Sequence, residues 1–242
     1  MAGSQGVSAS AATGGFEEGW YATDLGEYRP GDHTYDHYAH DTLPPLDPSR
    51  YTGAFEWLGG LTEGEGAGGP LPEQAAPLRT AAEALAAHGL GLPSDFTAFQ
   101  SSPHHLVLDE VSVTACWTSI SEPLPSPVEP GAFLVRFLRD QQDCLFWYLY
   151  LRPSGDAFVV VSPLDYEYEY ETRALPGDEP VDVEAHRAEI RWCAPSFEAF
   201  AHRYWLENRL WHVVNGTGGD DSLSDPQLRA YAAHYIPSAL TD

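Results

Sequence analysis

Three apolar runs in quick succession limit what this chain can become: "AFLVRFLRD", "CLFWYLYLR" and "AFVVVS", joined by "QQD" and "PSGD". Each run has strand length and is rich in β-branched and aromatic residues, and the joints are short and polar. That pattern predicts antiparallel strands paired through tight turns. "CLFWYLYL" is apolar at every position, which suits a strand buried on both faces and is far short of the ~20 residues needed to span a bilayer. Upstream, "VSVTACWTSI" (residues 111–120) is dense in β-branched residues and reads as a further strand. Downstream, "DYEYEYET" (165–172) alternates tyrosine and carboxylate strictly. Period two places Tyr166, Tyr168 and Tyr170 on one face of a strand and Asp165, Glu167, Glu169 and Glu171 on the other. The expected sheet is an antiparallel meander.

Helical patterns flank it. Residues 73–88 carry Leu78, Ala81, Ala82, Leu85 and Ala86 at helical spacing, with Gly89 as the stop. A short helix follows, with Ser94 as candidate cap and Phe96 and Phe99 on one side. "SFEAFAHRYWLENRLWHVV" has a wide apolar stripe behind a Ser196 cap, and "SDPQLRAYAAHYI" starts on Asp225 and Pro226. The fold class expected is α+β: a mainly antiparallel sheet with an N-terminal helix pair and C-terminal helices packed on it. Residues 1–45 are polar and lack periodicity, and read as a flexible extension; 46–242 read as one domain.

Charge narrows the functions. Thirty-six acids face 12 bases, all arginine, for a net charge of −24. Such a surface repels phosphate backbones and anionic membranes, so neither nucleic acid nor a membrane is an expected partner. It suits attraction to basic proteins, or simply solubility. "MAGSQGVSASAATGG" has no basic start and no apolar run, which predicts no signal peptide. Cys116, Cys144 and Cys193 are far apart in apolar sequence and read as free thiols of a cytoplasmic protein.

Chemistry-bearing motifs are few. On a helix His33, His37 and His40 of "DHTYDHYAHD" would share a face, but Gly and Pro flank them and no apolar stripe docks them. They read as a solvated tail, and no metal or cofactor is expected. Arg136 and Arg139 with Asp140 and Asp143 read as an exposed ion-pair set around a hairpin, worth about 0–1 kcal/mol. No nucleophile elbow, zinc-protease helix or phosphate loop occurs. A hydrolase built on Cys193 or His202 stays a minor alternative. The carboxylate row of "DYEYEYET" would be too costly to bury unpaired, so it faces water or a partner. From 165 to 189 the acids are Asp165, Glu167, Glu169, Glu171, Asp178, Glu179, Asp182, Glu184 and Glu189, against Arg173 and Arg187. The first eight are the candidate partner-binding residues, and no catalytic residue is expected.

"AAEALAAHGLGLPSDFTAFQSS" resembles the opening signature of the SUKH superfamily, in which an amphipathic helix runs into Leu-Pro, an acid, an aromatic and a short helix. Leu85, Leu92, Pro93, Asp95, Phe96 and Phe99 are the matching positions, and the resemblance spans about residues 70–215. "SSPHH" stands where that family has a glycine-rich turn. The resemblance implies a non-enzymatic α+β binding domain. Many bacterial members are immunity proteins that neutralise secreted toxins, often nucleases. A basic toxin-like protein is thus the expected partner, with a regulatory or scaffolding module as the alternative.

Overall fold

The structure is a computed structural model that describes residues 13–59, 72–173, 182–217 and 224–235. The three apolar runs form β6 (Phe133–Arg139), β7 (Phe146–Leu151) and β8 (Ala157–Ser162), each antiparallel to the next. β9 (Arg191–Ala194) continues the sheet antiparallel to β8, and β1 (Glu17–Glu18) closes that edge in parallel. At the other edge β4 (Trp117–Thr118) and β5 (Leu124–Pro125) pair with opposite ends of β6. The result is a seven-stranded, mostly antiparallel sheet in an α+β fold. A separate hairpin joins β2 (Trp20–Ala22) and β3 (Asp36–Tyr38).

All six β7 residues are buried because both faces of the sheet are covered. Trp147, Leu149 and Leu151 point into one core, and Phe146, Tyr148 and Tyr150 into another. The larger core lies under α1 (Pro72–Ala86), α2 (Ser94–Gln100), α3 (Val107–Val111), α6 (Phe197–Val214) and α7 (Pro226–Tyr235). The smaller is covered by Phe16, the 124–132 connection, α4 (Tyr166–Arg173) and α5 (Val183–Glu189), through Tyr166 and Ile190.

α6 organises the helical side. The Ser196 hydroxyl caps it by accepting Ala199 N–H at 3.2 Å. Phe197 sits among Phe55, Phe96, Phe99 and Phe137 with ring centroids 5.0–6.3 Å away. Asp95 Oδ2 accepts Glu198 N–H at 3.0 Å, tying α2 to the start of α6. Ser94 is the first helical residue and makes no side-chain cap. The Glu198 carboxylate in turn accepts Gly53 N–H at 2.6 Å and Phe55 N–H at 2.7 Å. That clamp holds Phe55 at φ 52°, a left-handed conformation that costs a non-glycine residue about 1 kcal/mol or more.

Three expectations are corrected here. Residues 13–45 are no loose extension: Phe16, Trp20, Ala22, Leu25 and Leu43 are buried in the same cores as the rest of the chain. Arg29 anchors the segment through an ion pair to Glu207 on α6 at 2.5 Å, and its guanidinium lies 4.6 Å over the Tyr38 ring. Residues 1–12 fall outside the described set. Second, "VSVTACWTSI" is a strand only at Trp117–Thr118. Its start ends α3 and docks on α6, with Val113 N–H donating to Asn208 Oδ1 at 3.0 Å and Tyr204 Oη to Ser112 Oγ at 3.0 Å. Third, "DYEYEYET" is helix α4, not a strand.

Candidate functional site

The reversal at "DYEYEYET" has a local and a distant cause. Asp165 follows the kink at Pro163 and caps the helix, Oδ1 accepting Glu167 N–H at 3.1 Å while its carbonyl accepts Glu169 N–H at 2.9 Å. Glutamate is also a good helix former. The distant cause is Arg136. Strand alternation in β6 puts its side chain on the same smaller-core face as Leu134, about 5% exposed. Its guanidinium donates to Asp165 Oδ1 at 2.8 Å and to Glu167 Oε2 at 2.7 Å. A buried cation needs such partners, and a helical turn brings both acids to one fork where a strand would hold them ~7 Å apart.

The eight sequence-selected acids therefore do not form one row. Asp165 and Glu167 turn inward to Arg136 and are 20% and 39% exposed. Glu169 and Glu171 lie in α4. Asp178 and Glu179 lie outside the described residues. Asp182 caps α5 by accepting Ala185 N–H at 3.1 Å, and Glu184 is exposed in its first turn. Glu189 is exposed at its end. Tyrosines split too: Tyr166 is buried beside Tyr148, centroids 5.6 Å apart, and Tyr168 is 63% exposed. Residues 165–173 and 182–189 thus act as an acidic cover, tethered from beneath by Arg136 and turning Tyr168, Val183, Glu184 and Glu189 to the outside.

Arg139 pairs with Asp143 as expected and lies 5.0 Å over the Trp117 ring. Asp140 leaves that set. It is 1% exposed, Oδ2 accepts Gln142 N–H at 2.8 Å, and Oδ1 accepts Tyr35 Oη–H at 2.8 Å. Its role is to fold the β6–β7 turn and hold the N-terminal segment. Cys193 is buried, and burial pushes its thiol well up. His202 is 2% exposed, its Nδ1 3.1 Å from Tyr51 Oη and its ring stacked on Trp57. Burial, with Arg50 and Arg203 nearby, holds its pKa at about 4. His37 sits in β3, between exposed His33 and His40 in the turn that follows, so the three share no helix face. His33 instead faces Asp36 at 3.0 Å. Among the described residues no group of three or more His, Cys, Asp or Glu side chains is placed to hold a metal ion, and no helix is long and apolar enough to cross a membrane.

Sequence reasoning missed two groupings. Tyr35, Thr114, Cys116 and Asp140 meet through hydroxyl contacts of 2.6–3.3 Å. Arg29, Glu207, Tyr231 and Tyr235 meet 178 or more residues from where Arg29 starts. Only unexplained tyrosines and a lone arginine in a polar segment hinted at either. Comparison with known proteins finds no family model, no curated protein and no solved structure that matches the chain.

Proposed function

We propose that this chain is a non-enzymatic binding module for a basic protein partner, docked on the acidic cover, as the SUKH resemblance implies for immunity proteins that neutralise toxins. One observation carries the reading: the cover is tethered to the buried Arg136 while presenting Tyr168 at 63% and Val183 at 40% exposure beside Glu184 and Glu189. An exposed aromatic anchor on an acid-rich segment is the composition of a recognition surface, and pre-pairing Asp165 and Glu167 reduces the ordering cost on binding. The net charge of −24 would steer a cationic partner toward it.

The test starts from the partner captured by the full chain in its native cell. Association rates are then measured for the wild type and for Glu184→Lys/Glu189→Lys at low and at high salt. Both positions are exposed, so the fold should survive. The double reversal should slow association several-fold at low salt, with the difference shrinking as salt rises. An unchanged low-salt rate would remove the cover from the binding surface.

A further inference from the structure

A cleft of about 590 Å³ opens beside the β2–β3 hairpin, walled by Tyr21, Asp32, His33, Tyr35, Cys144 and Pro163. It adjoins both ends of the acidic cover. Pro163 stands two residues before Asp165. Glu189, the last residue of α5, is near enough to Tyr21 for its charge to raise the phenol, second only to burial. From the hairpin side, Asp140 and Asp143 likewise add to burial in raising the Cys144 thiol. Negative potential therefore reaches the cleft from two sides, from Glu189 and from the Asp140–Asp143 turn.

Within it, the Asp32 carboxylate has no hydrogen-bond partner among the described residues, although its backbone N–H is held by Asp36 Oδ2 at 2.8 Å. No arginine is among the described lining residues, and the one imidazole, His33, is matched by Asp36 at 3.0 Å. Two tyrosines, an unpaired acid and room for a long side chain suit a cation with a flat, weakly hydrated head. Guanidinium meets that description better than ammonium, because it favours aromatic faces and loses less hydration. A second copy of this chain is a poor occupant, since two surfaces of net charge −24 repel.

We propose that this cleft receives an arginine side chain of the basic partner, its guanidinium held between the tyrosine walls and the Asp32 carboxylate. This rests on the binding reading above and adds a socket to it. Nα-acetyl-arginine methylamide and its lysine counterpart are titrated into the full chain and followed by backbone amide NMR shifts. The arginine compound should saturate, with shifts concentrated at Tyr21, Asp32 to Tyr35 and Cys144. The lysine compound should bind several-fold more weakly. Asp32→Asn should weaken the arginine compound several-fold. Thr34→Arg, at an exposed lining position, should fill the cleft and abolish saturation. Non-saturating shifts spread over the surface, equal binding of the lysine compound, or indifference to both variants would overturn the proposal. With the captured partner, Thr34→Arg should raise Kd at least tenfold. If it has no effect while Glu184→Lys/Glu189→Lys slows association, the socket falls and the cover stands.

Discussion

Replacing Glu207 by glutamine keeps the side chain's shape and removes one charge from the buried junction of three chain segments. Glu207 and Arg29 are 5% and 6% exposed. Oε2 accepts Arg29 Nη1–H at 2.5 Å, and Oε1 accepts Tyr231 Oη–H at 2.5 Å. A glutamine has a single acceptor oxygen. It must turn that oxygen to Arg29, because an amide NH2 against a guanidinium sets donor against donor. Tyr231 then loses its acceptor, while its own oxygen already accepts Arg203 Nη1–H at 3.1 Å. Removing one partner of a buried pair costs about 3–5 kcal/mol. The surviving oxygen, the Thr23 carbonyl at 3.0 Å and the Tyr235 hydroxyl at 3.2 Å still solvate Arg29, which favours the lower end, about 3 kcal/mol. At roughly 2–4 °C per kcal/mol for a chain of this size, Tm should fall by roughly 6–12 °C. Urea unfolding followed by tryptophan fluorescence reads the free energy, and a thermal melt reads Tm. Glu207→Leu combined with Arg29→Met removes both charges and should recover much of the loss. A drop of less than about 1 kcal/mol for Glu207→Gln would refute the argument, since it would mean that the pair is solvated.

Two further outcomes concern pH and the tether. With the His202 pKa at about 4 against about 6.5 unfolded, the unfolded chain binds more protons between those values, so stability is full above about pH 6.5 and falls as pH drops toward 4. His40, also held at about 4, first by burial and then by Arg203, adds in the same direction. Going from pH 7 to 4.5 should cost about 2–3 kcal/mol at His202 alone; urea midpoints at stepped pH should show a shallower fall for His202→Phe between pH 6.5 and 5, and equal slopes would contradict it. Arg136→Met leaves Asp165 and Glu167 without their cation, so it should cost about 2–3 kcal/mol and speed limited proteolysis within residues 165–173. Unaltered protection of that stretch would show that Arg136 is no tether.

Legibility in the sequence followed the range of the forces. β6, β7 and β8 could be read because each pairs with its neighbour through a short turn and its burial pattern is its own. α6 could be read from a Ser196 cap and a wide apolar stripe interrupted once, at Asn208. "DYEYEYET" misled because period two describes a strand, while Arg136, 29 residues upstream, gathers Asp165 and Glu167 onto a helical turn. "VSVTACWTSI" misled because β-branched content yields to packing against α6. Residues 13–45 had no period because they are built from two- and three-residue strands and 3-10 turns. Their buried aromatics, Phe16 and Trp20, pack on the rings of Tyr150, Phe158 and Phe200, far along the chain. Of the candidate site, its acidity was legible. Its division into tethered acids and an outward face was not.

The position of Arg29 sets an order on synthesis. β1 pairs with β9 at Arg191 and Trp192, and Arg29 closes on Glu207 and Tyr235. A chain leaving the ribosome therefore exposes Phe16, Trp20 and Leu25 long before their partners are made. The meander can form once residue 162 has emerged, yet residues 16–29 must wait for α6 and α7. Until then a nascent copy carries unpaired aromatics and an unmatched arginine in residues 16–29, which makes that segment the natural point for a chaperone to hold.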